Sequence, residues 1–190
     1  MANKVLFGIS NVYVGTYTET TTTSGTTVTL GTPYHQAGAV GFSPAPQSDK
    51  TDFYADNIIY WSGYAGGTFE GDLEVAMFDD TFKTQFLGYV TLANGGLASV
   101  KNPTKPNVYI AFEVDGDAEK RRVIFYNCAL GEITREYSTI TENKEPVTES
   151  LPVTCTGDNT SGVTMAVFKP TDSGYSTLFT APTAPTIATN

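Results

Sequence analysis

The sequence predicts a mainly β domain, built from two packed antiparallel sheets as in a sandwich or barrel, with one short flanking α-helix. Three observations support this fold class. Apolar residues, which make up 40% of the 190 residues and include 11 Tyr and 11 Phe, recur mostly at every second position, the period of a half-buried strand. Charged residues make up only 16% of the chain, below the roughly 25% of an average soluble domain. A single segment departs from this period and shows helical spacing instead.

About seven strands can be placed along the chain, enough for a sandwich or barrel. The segment 69–77 alternates most clearly between apolar residues and acids. Its apolar face carries Phe69, Gly71, Leu73, Val75 and Met77, and its other face carries Glu70, Asp72, Glu74 and Ala76. The segment 108–115 alternates in the same way, whereas 122–128 is apolar on both faces and is therefore predicted to be central in its sheet. The remaining predicted strands are 4–17, 37–43, 51–61 and 147–155.

One helix is predicted over about 79–87. Phe78, Phe82 and Phe86 recur at helical spacing, so their side chains share one face. Asp79 can cap the first turn, and the glycine that follows the segment can end the last one. We expect this aromatic stripe to pack across a sheet as part of the core rather than to bind a ligand.

Two stretches differ in composition from the rest of the chain. Residues 18–32 are Thr-rich and of low complexity, which predicts a loop or extended arm that the core cannot bury. Residues 171–190 end in a run of Thr, Ala and Pro and are expected to form an extended C-terminal arm. The chain is therefore divided into one β domain over 1–170, with the Thr-rich arm inserted, and the arm 171–190. We expect both arms to drive polymerisation and neither to be needed for folding.

The residues offer no arrangement for catalysis or for a cofactor. His35, the one histidine, is expected to lie in a loop or on the surface, away from any recognisable nucleophile motif. Residues 115–119 place acids at alternate positions as a calcium loop does, but the sixth position is Lys120 and not Gly, so a hairpin turn is favoured. The adjacent acids Asp79 and Asp80 fit helix capping better than an acid pair. We expect no enzyme, no cofactor and no metal site.

The charge and the cysteines also limit the function. A net charge of −9 argues against binding nucleic acid through its phosphates and against anionic membranes. No apolar run approaches a membrane span or a signal-peptide core, so we expect a cytoplasmic protein. Cys128 and Cys155 lie on two strands expected to pair antiparallel about a reversal near 142–144, which places them opposite each other. We expect both to be free thiols, as is usual in a reducing cytoplasm.

Six segments of the chain are more informative together than singly. In chain order they read MANKVLFGISNVYV (1–14), FYADNIIYW (53–61), EGDLEVAMFDDTFKTQFLG (70–88), AFEVDGD (111–117), RRVIFYNC (121–128) and EPVTESLPVT (145–154). Together they resemble the major tail tube protein of siphophages, the bacteriophages with long non-contractile tails. They follow the family's order and spacing and cover residues 1–156. The insertion 19–32, the Gly-rich stretch 94–98 and the tail after residue 170 depart from the family's pattern.

The resemblance implies a structural protein without catalytic residues. It implies a tail tube fold of two packed sheets, and hexameric rings in which the inner sheets of neighbours join into one barrel. Stacked rings would form a hollow tube through which DNA passes without specific binding. The expected partners are further copies of the chain, a tape measure protein, and the tail tip and tail terminator proteins. The expected location is the virion, after assembly in the cytoplasm of the host bacterium.

Two other functions share some of these features. An all-β phage receptor-binding or head-decoration module would have a similar composition, but it would be a monomer or trimer with an exposed aromatic patch. A hydrolase would need two carboxylates that converge in a pocket, and the sequence offers no such pair. Polymerisation into long hollow tubes would distinguish a tube protein from both.

The strand 69–77 supplies candidates for the wall of such a tube. If its apolar residues face the core, then Glu70, Asp72 and Glu74 face away from it. These acids either form an ordinary solvated face or line the channel. In the channel their charge would repel DNA phosphates, which recur every ~1.7 Å along the duplex axis, over a Debye length of about 8 Å.

Overall fold

The computed structural model describes residues 8–23, 25–137, 139 and 146–188. Within these ranges the chain forms twelve β-strands and one α-helix. In order they are β1 (Gly8–Thr22), β2 (Gly25–Leu30), β3 (Tyr34–Gln36), β4 (Ala39–Phe42), β5 (Ala45–Ala55), β6 (Ile58–Val75), α1 (Asp80–Phe86), β7 (Val90–Thr91), β8 (Leu97–Ala98), β9 (Val108–Asp115), β10 (Arg122–Leu130), β11 (Glu149–Cys155) and β12 (Met165–Phe168). The predicted fold class, mainly β with one short helix, is confirmed.

One large antiparallel sheet carries ten of these strands. Its strand order is β2-β1-β9-β10-β11-β6-β4, with β3 paired to β1, β5 to β6 and β12 to β10. The far strand β4 lies against β1 again, so the sheet curls around on itself. A separate small sheet pairs β7 with β8. The curled sheet encloses the core as the walls of a barrel do.

The interior of the curled sheet is filled by apolar residues from both of its walls and from α1. The fully buried members include Val12, Val14, Leu73, Val75, Phe78, Phe82, Val108, Ile110, Cys128 and Leu151. Phe125 lies near the centre, where its ring meets those of Phe42 and Phe69 edge-on, at centroid distances of 5.4 Å. Met77 was expected to share this face but is 65% exposed, because β6 ends at Val75 and the chain bends towards the helix.

Helix α1 forms where the aromatic spacing predicts it. The Asp79 carboxylate accepts a hydrogen bond from the backbone N–H of Phe82, 2.7 Å away, and so caps the helix N-terminus. Gly88 follows the last turn with φ +68°, a conformation that glycine adopts at little cost. The rings of Phe78, Phe82 and Phe86 are all buried. Among the described residues, no helix is long and apolar enough to cross a membrane.

The segment predicted as one strand over 51–61 contains a turn instead. Asp56 and Asn57 both have positive φ, +52° and +64°, which is the backbone of a type I′ hairpin turn. The chain reverses there, and β5 pairs antiparallel with β6 from Ala45↔Glu70 to Ala55↔Ile58. The structure therefore has a long two-stranded hairpin where the sequence predicted a single strand.

The Thr-rich stretch 18–32 forms an arm made of regular strands. The end of β1 pairs with β2 from Tyr17↔Leu30 to Thr22↔Gly25. Most of its side chains are exposed, in agreement with the expectation that the core does not bury it. The loop that the low complexity also allowed is not observed, since Thr is a strong strand former.

The C-terminal segment differs from the expected extended arm. Residues 170–180 form successive turns that return to the outer face of β1, β9 and β10. Leu178 is 3% exposed there and packs in a second apolar cluster, with Tyr17, Tyr109, Ala111, Ile124 and Tyr126. The Phe179 ring stacks on Tyr13 at 4.6 Å. Residues around 178 complete a layer of the hydrophobic packing, so we expect folding to depend on this part of the segment.

The two cysteines lie on paired strands as predicted. Cys128 in β10 is the register partner of Cys155 in β11, and the predicted reversal at 142–144 lies outside the described residues. The structure differs from the expectation of free thiols, since the two sulfur atoms are bonded in it. Antiparallel pairing places the two side chains on the same face of the sheet at adjacent positions, which is what brings the sulfurs together.

Candidate functional site

The groups considered for catalysis or metal binding have structural roles. His35 lies on β3 opposite Tyr13, and its exposed ring packs against the tyrosine ring at 4.9 Å. Gly116 and the residues after it form the turn between β9 and β10, as the hairpin interpretation predicted. In that turn the Arg121 guanidinium donates to Asp117 and lowers the pKa of this carboxyl to about 2. No group of three or more His, Cys, Asp or Glu among the described residues is placed to hold a metal ion.

Two buried tyrosines tie the Thr-rich arm to the barrel. The Tyr109 hydroxyl donates to the carbonyl of Gly31, 2.8 Å away. The Tyr17 hydroxyl lies 2.7 Å from carboxylate oxygens of both Asp158 and Glu19. Burial raises the pKa of both phenols, so they remain neutral donors at physiological pH. These hydroxyls therefore hold the arm in place and are unsuited to act as bases.

The most distinctive surface is the hairpin of β5 and β6. Its distal part, residues 48–66, pairs within itself and with no other strand of the described chain. Seven of its large apolar side chains are between 50% and 74% exposed: Phe53, Tyr54, Ile58, Ile59, Tyr60, Trp61 and Tyr64. An aromatic side chain has a surface of about 150–250 Å², so this group exposes on the order of 700 Å². Such a patch is large for a monomer and typical of an interaction site.

The aromatic side chains divide between the two faces of the hairpin. Phe53 is the register partner of Trp61, whereas Tyr54 pairs with Ile59 and Tyr60 is the extra residue of a bulge. Adjacent residues point to opposite faces of a strand, so the Phe53–Trp61 face and the Tyr54–Ile59 face are opposite. The Trp61 ring lies flat over Gly63, where an added Cβ would be only 2.3 Å from the ring. The Phe53–Trp61 face is therefore both apolar and flat.

The end of the hairpin carries little charge. Between Phe53 and Thr68 the sequence contains one charged residue, Asp56, whereas Asp49, Lys50 and Asp52 lie nearer the barrel on β5. The whole chain carries a net charge of −9, so most other surfaces of two copies would repel each other at close range. The hairpin is thus a part of the surface where a second copy could approach with little electrostatic cost.

The acidic residues predicted for β6 lie where the alternation placed them. Leu73 and Val75 are fully buried, and Glu70, Asp72 and Glu74 project from the opposite face. Glu70 and Asp72 are exposed, while the half-buried Glu74 accepts a hydrogen bond from the Thr148 hydroxyl. This part of β6 is flanked by β11 on one side and by β4 and β5 on the other. The acids therefore form an outward stripe in the middle of a sheet.

The sequence pattern does not indicate this exposed hairpin. The aromatic residues of 51–61 alternate as in a single strand, with no sign that both faces would remain exposed. The signal that could have revealed the turn is the dipeptide Asp56-Asn57, since Asp and Asn adopt positive φ more readily than other non-glycine residues. The turn signal alone would not have predicted that the aromatic side chains are exposed, because their exposure arises from the projection of the hairpin beyond the barrel.

Comparisons with known proteins identify a family and several similar structures. The family described as "Phage tail tube protein" matches residues 2–169. The tube-terminating cap of the anti-feeding prophage is similar over 89% of this chain and 96% of that chain, with a TM-score of 0.49 and 9% identity. A chain from the 6-fold symmetrised baseplate of the same particle is similar over 90% and 99%, with a TM-score of 0.44 and 8% identity. No curated protein sequence matches significantly. The functional conclusions rest on the family match.

Proposed function

This chain belongs to the phage tail tube protein family, and we propose that it is the major tail tube subunit of a siphophage. Proteins of this family are structural components of the virion tail and are not enzymes. The proposed subunit forms hexameric rings, and the rings stack into a hollow tube that conducts DNA during ejection. Its assembly takes place in the cytoplasm of the host bacterium.

The observation that carries self-assembly is the exposed aromatic hairpin. Its apolar area is on the order of 700 Å² over its two faces together, so contacts on both faces would approach the roughly 800 Å² that each partner contributes to a standard protein–protein interface. Like-charged copies of an acidic chain associate most readily through surfaces of low charge, and the end of the hairpin, where residues 53–68 contain only one charged residue, is such a surface. The proposed occupant of this patch is therefore a second copy of the chain.

Open sheet edges give a second reason for assembly into rings. Strands β2 and β5 each pair on one side with β1 and β6, so their outer edges present backbone groups that another chain can bind. A closed ring of copies would satisfy these groups and remove the edges. The tape measure protein would fill the channel during assembly, and the tail tip and tail terminator proteins would bind the two ends of the tube.

We further propose that the acidic stripe of Glu70, Asp72 and Glu74 faces the channel. An acidic wall repels DNA phosphates at short range, so the duplex passes without binding. Replacing all three acids with Lys should allow tubes to form but slow DNA release, several-fold at low ionic strength and less at high salt. The measurement is the rate of DNA release from virions that carry the variant.

The matched control is Glu70→Gln, Asp72→Asn and Glu74→Gln, which removes the charge and keeps the side-chain shape. This variant should release DNA at close to the normal rate, since it adds no attraction for phosphates. Release from the triple-Lys virions at the normal rate in low salt would show that these residues do not line the channel.

The alternative is an all-β receptor-binding or head-decoration module, and one observation favours it. Such a module was expected to expose an aromatic patch, and the hairpin does so. The family match over residues 2–169 favours the tube. The state of the purified full-length chain tests the choice, because a module stays a monomer or trimer whereas a tube subunit forms long hollow polymers in negative-stain electron microscopy.

A further inference from the structure

The pairing of β10 with β11 is an irregular joint in the barrel wall. It has three register pairs, Cys128↔Cys155, Ala129↔Thr154 and Leu130↔Val153. By contrast, β11 forms seven register pairs with β6, and β1 forms seven with β9. On one side of the joint lie β1, β9 and β10, and on the other lie β11, β6, β4 and the aromatic hairpin. Beyond the three register pairs the contact continues less regularly, through the Gly131 N–H to the Pro152 carbonyl and through the Thr134↔Ser150 bridge.

A covalent bond reinforces this joint. The Cys128 and Cys155 sulfur atoms are bonded across the first register pair. The two residues are 0% and 1% exposed and pack within the main core cluster. They are 27 residues apart in sequence, so the bond closes a loop of moderate length and restricts the unfolded chain.

We propose that the Cys128–Cys155 bond is a redox-controlled staple, which is open in the newly folded subunit and closes once the protein meets a more oxidising environment. The proposal rests on the proposed function, since a tail subunit made in a cytoplasm and carried on a virion encounters both environments. Cytoplasmic thiols keep cysteines reduced, whereas disulfides persist outside the cell. Closure stabilises the joint and changes neither the hairpin nor the acidic stripe, which lie on other strand segments.

The closing step is a thiol–disulfide exchange with a low-molecular-weight disulfide. The thiolate of one cysteine attacks the small disulfide, which forms a mixed disulfide and releases one small thiol. The thiolate of the second cysteine then attacks the protein sulfur of the mixed disulfide, which forms the Cys128–Cys155 bond and releases a second small thiol. The two protons from the cysteines end on the released thiols, and the small disulfide receives the two electrons.

Burial makes this bond resistant once it has closed. A reductant must reach one of the two sulfurs, and both lie inside the core, so reduction of the native protein requires the β10–β11 joint to open first. Exposed or strained disulfides exchange readily, whereas a buried one exchanges at the rate of local opening. The staple is thus expected to close slowly in the native state and to remain closed.

The test uses the full-length chain purified in reductant and then incubated in buffers of reduced and oxidised glutathione. Oxidation should lower the intact mass by two hydrogens and raise the melting temperature by roughly 10 °C. The closed protein should resist dithiothreitol in its native state and be reduced rapidly in denaturant. The double variant Cys128→Ala and Cys155→Ala should show no response of its melting temperature to the glutathione ratio.

Two results would contradict this proposal. The wild-type protein could keep two titratable thiols in oxidising glutathione, or closure of the bond could leave the melting temperature unchanged. Reduction of the native protein as fast as the denatured one would also contradict it. Electron microscopy of the reduced and oxidised samples separates this inference from the proposed function. Tubes absent from both samples would refute the tube subunit, while the mass and melting data would still decide the staple.

Discussion

Replacing Phe53 and Trp61 together with Ser is expected to stop polymerisation of this chain while leaving the subunit folded. Both side chains are more than half exposed, so their loss should change the free energy of unfolding by less than about 1 kcal/mol. Buried aromatic anchors of an interface contribute about 2 kcal/mol or more each. The double substitution should therefore raise the critical concentration for polymerisation about 1,000-fold. Sedimentation of the protein over a concentration series measures this quantity.

Two comparisons make the hairpin experiment specific. The double variant Tyr54→Ser and Tyr64→Ser removes two aromatic rings from the opposite, more polar face. Comparing the critical concentrations of the two double variants shows which face makes the contact. Val90→Ser with Tyr137→Ser removes exposed apolar groups away from the hairpin and should leave polymerisation unchanged. Normal polymerisation of the Phe53 and Trp61 variant would show that the hairpin does not join one copy to another.

Truncation at residue 175 is expected to destabilise the fold, whereas truncation at residue 181 is not. Loss of 176–190 removes Leu178 from the apolar cluster beside Tyr109 and Tyr126, at a cost of about 2–5 kcal/mol, as for other buried Leu side chains. It also removes the Phe179 ring, which lies 4.2 Å from the Arg122 guanidinium. Urea unfolding followed by circular dichroism measures the difference between the two truncations.

The single substitution Leu178→Ala separates packing from chain length in this experiment. It should reproduce most of the destabilisation, since none of the described residues after 181 belongs to the second cluster. Equal stability of the chain ending at 175 and the full-length chain would mean that the turns of 170–180 do not complete the fold.

The parts of the fold that were predictable are those set by local chemistry. The Asp79 cap and the three Phe residues of α1 act within one helix, so their spacing was sufficient to place it. The alternation of 69–77 placed Leu73 inside and the acids outside because the period of a strand is fixed. The pairing of the two cysteines followed in the same way from antiparallel register.

The parts that were not predictable depend on contacts between distant segments. The C-terminal tail is of low complexity, so its sequence does not indicate that Leu178 packs beside Tyr109, which is distant in sequence. The disulfide bond was not predicted, because a reducing cytoplasm was expected to keep both cysteine thiols free. The exposure of Trp61 departs from ordinary core patterning, and a group of exposed apolar side chains of this size is typical of an interaction site.

Negative-stain electron microscopy of the purified full-length chain, concentrated without other phage proteins, is the decisive test of tube formation. We expect long hollow tubes of uniform diameter whose end views show hexameric rings. A solution that contains only monomers or trimers at every concentration, with the subunit folded, would contradict it and would favour the receptor-binding or head-decoration module.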